Sequence, residues 1–272
     1  MSSRIDIPKI ALSSRYSQDP SKLLKFAREN DFNGIEYSIF EESREEFDNI
    51  KNSLIELSNS ELEIRYHLPF KKMELSHVDE SFAKDSLDYM KYCIDNIFEI
   101  GGKYIIVHLG LGYKDSLDKI CYENAEKYLS ELVEYAKTRN IAVCLENLTF
   151  GLINSPDLFL KMIDKAGCRA CIDIGHVAMS PVVTKGELSM LEYINLMLPY
   201  LEGAHIYDKE IRDFISGKGV HIYPKDKELI SDRIKKIYDS ESCNWWLIEL
   251  GDPKEILLTK SFLEEILNEL NK

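Results

Sequence analysis

Eight short apolar runs recur about every 34 residues along this chain: Ile5–Leu12, Phe32–Ile39, Leu62–His67, Tyr104–Leu109, Ile141–Glu146, Ala170–Ile174, Leu201–Tyr207 and Trp245–Leu250. Most are apolar at consecutive positions rather than alternate ones. That predicts strands buried on both faces, as in a parallel sheet. Between the runs the apolar residues change to helical spacing. Phe82, Leu87, Met90, Ile94, Ile97 and Phe98 form one face that stops at Gly101-Gly102, and Cys121, Ala125, Leu129, Leu132, Val133 and Ala136 form another before Asn140. Leu158, Phe159, Met162 and Ile163 lead to Gly167, a residue suited to the left-handed turn that ends a helix. Ile256, Leu257, Phe262, Leu263, Ile266 and Leu267 fit a closing helix. Asp19-Pro20, Ser155-Pro156 and Asp252-Pro253 each put a capping oxygen before a proline at the first helical position. Eight strand–helix units with no linker between them predict an α/β chain folded as a single (β/α)8 barrel over residues 1–272, in preference to an open doubly wound sheet. Tyr207–Lys225 is the longest stretch without a clear pattern, and loops of that length are often functional.

Composition narrows the partners. Asp and Glu number 47 against 34 Lys and Arg, a net charge of −13, which argues against binding a phosphate backbone. No window approaches the roughly 18 uncharged apolar residues of a membrane span, and the N-terminus lacks the apolar core of a secretory signal. A cytoplasmic location is therefore expected. The six cysteines are scattered and lie mostly in apolar stretches, so reduced, buried thiols are expected. Cys168 and Cys171 form a C-x-x-C that runs straight into a predicted strand, where packing is the simpler role.

A barrel of this type carries its active site at the C-terminal ends of the strands. The polar residues there are Ser13 and Ser14, Glu36, His67, His108, Glu146, Asp173 with His176, His205 with Asp208, and Glu249. Four of the six histidines thus converge on one mouth, joined by carboxylates. Buried charges need partners, and a divalent cation is the simplest common one. Carboxylate and imidazole together suit Mn, Co, Fe or Zn and tolerate Mg, and no thiolate is placed to compete.

The order His67-x-Pro69, Val107-His108-x-Gly110, Leu145-Glu146-Asn147, Asp173-x-Gly175-His176, His205-x-x-Asp208 and a final strand-end Glu249 resembles the xylose-isomerase-like barrel superfamily over essentially the whole chain. That superfamily includes isomerases and epimerases of sugars and sugar phosphates, sugar-acid dehydratases and metal-dependent apurinic-site endonucleases. The resemblance implies one divalent metal ion held by Glu146, Asp173, His205 and Glu249, with His176 on a substrate hydroxyl. Glu146 and Glu249 would exchange a proton from opposite sides of a small carbohydrate substrate, through an enediolate that the metal stabilises. His67 and His108 would bind substrate or a second ion.

The endonuclease branch is the alternative. It uses nine ligands for three ions, and seven are matched here: His67, His108, Glu146, Asp173, His176, His205 and Glu249. The other two come from an Asp-x-His after the seventh strand. Here Asp213 is followed by Ile215 where the histidine belongs, and His221 falls beyond the glycines. The first strand also lacks the His and Gly-rich stretch of that branch. A non-catalytic, metabolite-binding barrel is the second alternative. Asp208, Arg212 and Lys218 are weaker candidates for substrate contacts, with Gly217-Lys218-Gly219 readable as a phosphate cradle or a plain loop. Glu36 reads as a buried partner for an Arg or Lys. His77 and His221 read as surface residues. One ring of Trp245-Trp246 is expected inside the barrel and the other under the helices. A homo-oligomer is compatible with the sequence.

Overall fold

Strands apolar on both faces must be covered on both faces, and a closed sheet ringed by helices does this. The computed structural model describes residues 7–41, 43–110, 119–212 and 219–272. In chain order the elements are β1 (Lys9–Ser13), α1 (Pro20–Glu29), β2 (Gly34–Ser38), α2 (Arg44–Ser58), β3 (Glu63–His67), α3 (Glu80–Glu99), β4 (Tyr104–Val107), α4 (Tyr122–Lys137), β5 (Ala142–Glu146), α5 (Pro156–Ala166) and β6 (Arg169–Asp173). They continue as α6 (Ile174–Met179), α7 (Pro181–Thr184), α8 (Met190–Met197), β7 (Leu201–Ile206), β8 (Lys209–Arg212), β9 (Gly219–Ile222), α9 (Glu228–Tyr238), β10 (Trp245–Ile248) and α10 (Pro253–Leu270). Eight of the strands close a parallel barrel in the order β1-β10-β7-β6-β5-β4-β3-β2. The (β/α)8 expectation holds. No helix among the described residues is long and apolar enough to cross a membrane.

Local chemistry explains most boundaries. Asp19 accepts from the Lys22 amide ahead of α1, and Asp252 accepts from the Lys254 and Glu255 amides ahead of α10. Ser155 precedes Pro156 as expected, but its side chain makes no capping bond. Gly167 ends α5 with φ +66°, the left-handed turn that glycine adopts without a Cβ penalty.

The stretch from Tyr207 to Lys225 is not a pattern-free loop. It contains an antiparallel hairpin in which Glu210 faces His221 and Arg212 faces Gly219. Its strands are four residues long and half exposed, too short for alternation to show in sequence.

The two tryptophans divide as expected. Trp245 packs with Ala11 and Leu247 inside the barrel, while Trp246 joins the core between sheet and helices, edge-on to Tyr238 of α9. Ile106, Cys144 and Cys171 fill another interior layer. All six cysteines are free thiols, and Cys168 and Cys171 are both buried. Lower in the barrel, the Arg65 guanidinium lies over the rings of Tyr104 and Trp245, 4.0 and 4.5 Å from their centroids. It also meets Glu63 at 3.0 Å and Glu202 at 3.9 Å.

Candidate metal centre at the mouth of the barrel

Side chains alternate along a strand, so a residue at an inward strand end looks into the mouth. His67, Glu146 and Asp173 are the last residues of β3, β5 and β6; His205 precedes the last residue of β7; His108 and Glu249 directly follow β4 and β10. The ends of β5 and β6 are tied by Asn147, whose side chain donates to the Asp173 carbonyl at 3.0 Å and accepts from its amide at 2.7 Å. Asp173 also caps α6, accepting from the His176 amide at 2.7 Å. Gly175 is required by the neighbouring ring. A Cβ there would lie 2.0 Å from Tyr207, whose hydroxyl donates to Asp173 Oδ2 at 2.9 Å.

Three groups of donors result, each with its atoms within 4.8 Å of one another: Glu146, Asp173, His205 and Glu249; His67, His108 and Glu146; His176, Glu210 and His221. Glu146 belongs to two of them. Its Oε2 lies 3.2 Å from both His67 Nε2 and His108 Nε2, and 3.5 Å from His205 Nδ1.

The ring nitrogens are assigned by what their opposite nitrogens do. Nδ1–H of His67 donates to the Leu68 carbonyl at 2.8 Å, that of His176 to the Asn147 carbonyl at 2.9 Å, and that of His221 to the Glu249 carbonyl at 2.8 Å. Each Nε2 is thereby turned towards a cluster. His205 is reversed: its Nε2 lies 3.0 Å from Glu36 Oε1, and its Nδ1 faces Glu249 Oε2 at 3.2 Å. Behind His67, His176 and His221 a backbone carbonyl holds the ring proton, the arrangement that orients imidazole ligands on metals.

The electrostatics are those of crowded, buried charge. Burial opposes ionisation of Glu146, yet the His205 and His108 imidazoles outweigh it and hold that carboxyl well below the usual range. Glu249 is likewise held well below it, burial being overcome by His221, Arg15 and His205. Burial, with Glu146 and Glu249 nearby, pushes Asp173 up to about 6 against the pull of His176. His176 rises to about 10, because Asp173, Glu210 and Glu146 overcome its burial. Burial dominates at His108 and lowers it.

The donors fit a divalent cation. His205 Nδ1 and Glu249 Oε2 are buried and make no hydrogen bond among the described residues, although they face each other. An unsatisfied buried acceptor is costly, and an ion between the oxygens and imidazoles would satisfy both atoms. The mixed oxygen and nitrogen set suits Mn, Co, Fe or Zn.

The structure brings together Glu146, Asp173, His205, Glu249, His67, His108 and His176. Other expectations change. His221 is no surface residue: its side chain is 3% exposed and its ring stacks on Tyr207, centroids 3.9 Å apart. The hairpin folds it back over the mouth, which its place after the glycines conceals. His77 is also buried, remote from the clusters, accepting from the Asp79 amide at 3.0 Å. Among the described residues Glu36 has no Arg or Lys partner; it meets His205 and accepts from the Trp245 indole N–H at 3.2 Å, while Arg65 is held by Glu63 and Glu202. Asp208 is engaged by Arg233 of α9 at 3.4 Å. Lys218 and the Arg212 side chain lie outside the described residues.

Sequence reasoning missed Glu210, Arg15 and Tyr207. Arg15 is recoverable, since it follows Ser13 and Ser14 at the first strand end. Glu210 is not, because its position depends on the hairpin register. Gly219 gives it space: a Cβ there would meet Glu210 Oε2 at 2.3 Å.

Several known proteins resemble this one. An uncharacterized protein of Methanocaldococcus jannaschii is 27% identical over 204 residues, covering 75% of this chain and 80% of the relative. A D-tagatose 3-epimerase-like protein superposes with a TM-score of 0.71 at 19% identity, covering 97% of this chain and 98% of the other. An L-ribulose 3-epimerase gives a TM-score of 0.71 at 16% identity, covering 97% and 95%. The IOLI protein, described with a bound zinc atom, gives 0.68 at 15% identity, covering 97% and 98%. At such identities these structures establish the fold. Residues 24–229, most of the barrel, match the family described as xylose isomerase-like TIM barrel, and the chain belongs to that family.

Proposed function

We propose that this protein is a divalent-metal-dependent isomerase or epimerase that moves a proton at a carbon of a small sugar or sugar derivative. The observation that carries this reading is the four-donor cluster with an ionised glutamate at each flank, Glu146 from the end of β5 and Glu249 from the end of β10. The two strands are separated in the barrel by β6 and β7, so the carboxylates approach from different directions without being diametrically opposed. The epimerase names of two structurally similar proteins agree with it.

A divalent ion held by Glu146, Asp173, His205 and Glu249 would polarise a carbonyl and its neighbouring hydroxyl and favour loss of the carbon-bound proton. The chain's residues do the rest. Both glutamates are held in the ionised state a base needs, so either can accept the carbon-bound proton, while the other must first take a proton from solvent or a substrate hydroxyl before it returns one to the opposite face. His176 offers a ring nitrogen for a substrate hydroxyl, and Tyr207, edge-on to it at 6.4 Å between centroids, is committed to Asp173. Phe70, 4.5 Å from the His108 ring and 5.5 Å from His67, supplies an apolar wall beside the cluster.

The test is solvent exchange. Protein loaded with Mn²⁺ is incubated in D₂O with a panel of ketoses and their phosphates, and deuterium at carbon is followed by NMR. Glu249→Gln is expected to lose exchange by roughly 10²–10⁴-fold, the usual share of general acid–base catalysis, while keeping its fold. Intact exchange in that variant would show the catalytic assignment to be wrong.

A second reading, phosphodiester hydrolysis, is favoured by the two additional donor clusters. It requires two or three ions per chain, and abasic DNA as substrate. The −13 charge opposes that substrate.

A further inference from the structure

We propose that Arg15 sets substrate choice at this site: its guanidinium takes an oxyanion substituent, a phosphate ester or a carboxylate, of the molecule whose carbon is deprotonated beside it. The proposal rests on the isomerase reading and adds the substrate class. Arg15 lies two residues past the end of β1, beside β10, its hydrogen-bonded neighbour in the barrel, so residues from the two ends of the sequence meet there. Its Nε donates to Glu249 Oε1 at 3.1 Å, and its Nη2 donates to His221 Nε2 at 3.0 Å. Among the described residues it is the only Arg or Lys that meets a member of the three clusters.

Three features separate it from a plain counter-ion. The first is spare capacity. A guanidinium has five N–H donors in a planar fork. Two are engaged among the described residues, and the side chain is 38% exposed at the mouth. The second is placement. The Arg15 amide donates to Ser13 Oγ at 3.2 Å, and Gly251, after β10, lets that loop approach, since a Cβ there would lie 3.3 Å from the Arg15 carbonyl oxygen. The backbone carrying the guanidinium is therefore held from two sides. The third is charge balance. An ion shared by Glu146, Asp173, His205 and Glu249 supplies the positive charge that Glu249 otherwise draws from Arg15. The guanidinium then remains as a fixed cation beside the reacting centre. A neutral hydroxyl uses it poorly, whereas a phosphate or carboxylate can take two parallel, charge-assisted bonds from the fork.

The same contact bears on the third cluster. Arg15 already occupies the Nε2 lone pair of His221 that an ion there would need. The chain thus supplies its own cation where His176, Glu210 and His221 gather. An oxyanion bound to Arg15 would lie next to Glu249, so the charged substituent belongs a short distance along the carbon chain from the reacting carbon.

The experiment uses the wild type, Arg15→Lys and Arg15→Gln, each saturated with Mn²⁺ and checked for metal content. Each is titrated calorimetrically with inorganic phosphate and, separately, with acetate. The expected result is that Arg15→Gln weakens one of the two anions at least tenfold, with Arg15→Lys in between because it keeps the charge but loses the fork. Dependence of phosphate binding on Arg15 identifies a phosphorylated substrate, and dependence of acetate binding identifies a sugar acid. Equal affinity of all three proteins for both anions, or no measurable binding of either by the wild type, overturns the proposal. The isomerase reading fails separately: anion binding would still depend on Arg15, but no sugar in the panel would exchange deuterium.

Discussion

The barrel carries ionisable side chains at two levels, and the two are balanced in opposite ways. At the lower level, the Arg65 guanidinium is sandwiched by Tyr104 and Trp245 and flanked by Glu63 and Glu202. Two residues further along the same strand, His67 enters the mouth, where Glu36, Glu146, Asp173, Glu210 and Glu249 crowd around imidazoles and one arginine. The lower level is neutralised by the chain itself. The upper level leaves His205 Nδ1 and Glu249 Oε2 buried without hydrogen bonds. Buried charge supports the fold where its partners are built in, and serves function where a partner must arrive from outside.

The difference can be broken from below. Arg65→Ala should cost about 2 kcal/mol of stability, chiefly because it opens space against two rings, since Glu63 keeps Lys9 and Glu202 keeps Arg169. Denaturant unfolding measures this. Mn²⁺ bound per chain should not change, and a parallel loss of metal would mean that the two levels are one network.

It can be sharpened from above. Glu36 belongs to none of the donor clusters but lies 3.0 Å from Nε2 of the ligand His205, so Glu36→Gln should weaken Mn²⁺ binding by roughly 10–100-fold with a small effect on unfolding. A large stability loss with unchanged metal affinity would place Glu36 among the structural charges instead.

The smallest effect is one of pH. Burial raises Asp173 to about 6, so a proton competes with the metal there as pH falls. Mn²⁺ affinity is expected to fall as pH falls, by up to about tenfold more per unit once Asp173 also takes a proton, and not to level off just above 6, because the ligand His205 is itself raised well above the ordinary imidazole value. Glu63 moves the other way: Lys9 and Arg65 overcome its burial and lower it. Its contribution is present above the unfolded carboxyl value near 4.3 and is lost only as pH falls further. Between pH 7 and 5 metal binding should therefore weaken while this ion pair holds. A pH-independent affinity over that range would remove Asp173 from the ligand set.

Most of the barrel was legible because its physics is local and repetitive. Consecutive apolar residues, capping aspartates before prolines and Gly167 at a helix end each act over a few positions. The seven strand-end candidates, His67, His108, Glu146, Asp173, His176, His205 and Glu249, were legible for a related reason. In a closed parallel barrel every strand delivers its C-terminal end to the same mouth, so order in sequence becomes proximity in space. Ser155 shows the limit even locally, since the right residue before a proline makes no capping bond.

What escaped were contacts that depend on how the chain returns. His221 lies after Gly217 and Gly219 in sequence, and only the register of β8 against β9 sets it opposite Glu210 and over Tyr207. Arg15 stands at one end of the sequence, and its partner Glu249 is 234 residues away. Glu36 meets His205 in place of a basic residue, while Arg65 is held one layer down. By itself, then, the sequence determined the barrel, its mouth and the seven donors that converge there, since strand and helix periodicity specify direction and order. Only the tertiary structure decided how those donors divide into three clusters, which nitrogen each histidine offers, and that an arginine joins them. Those outcomes follow from distances between distant segments, which no local pattern encodes.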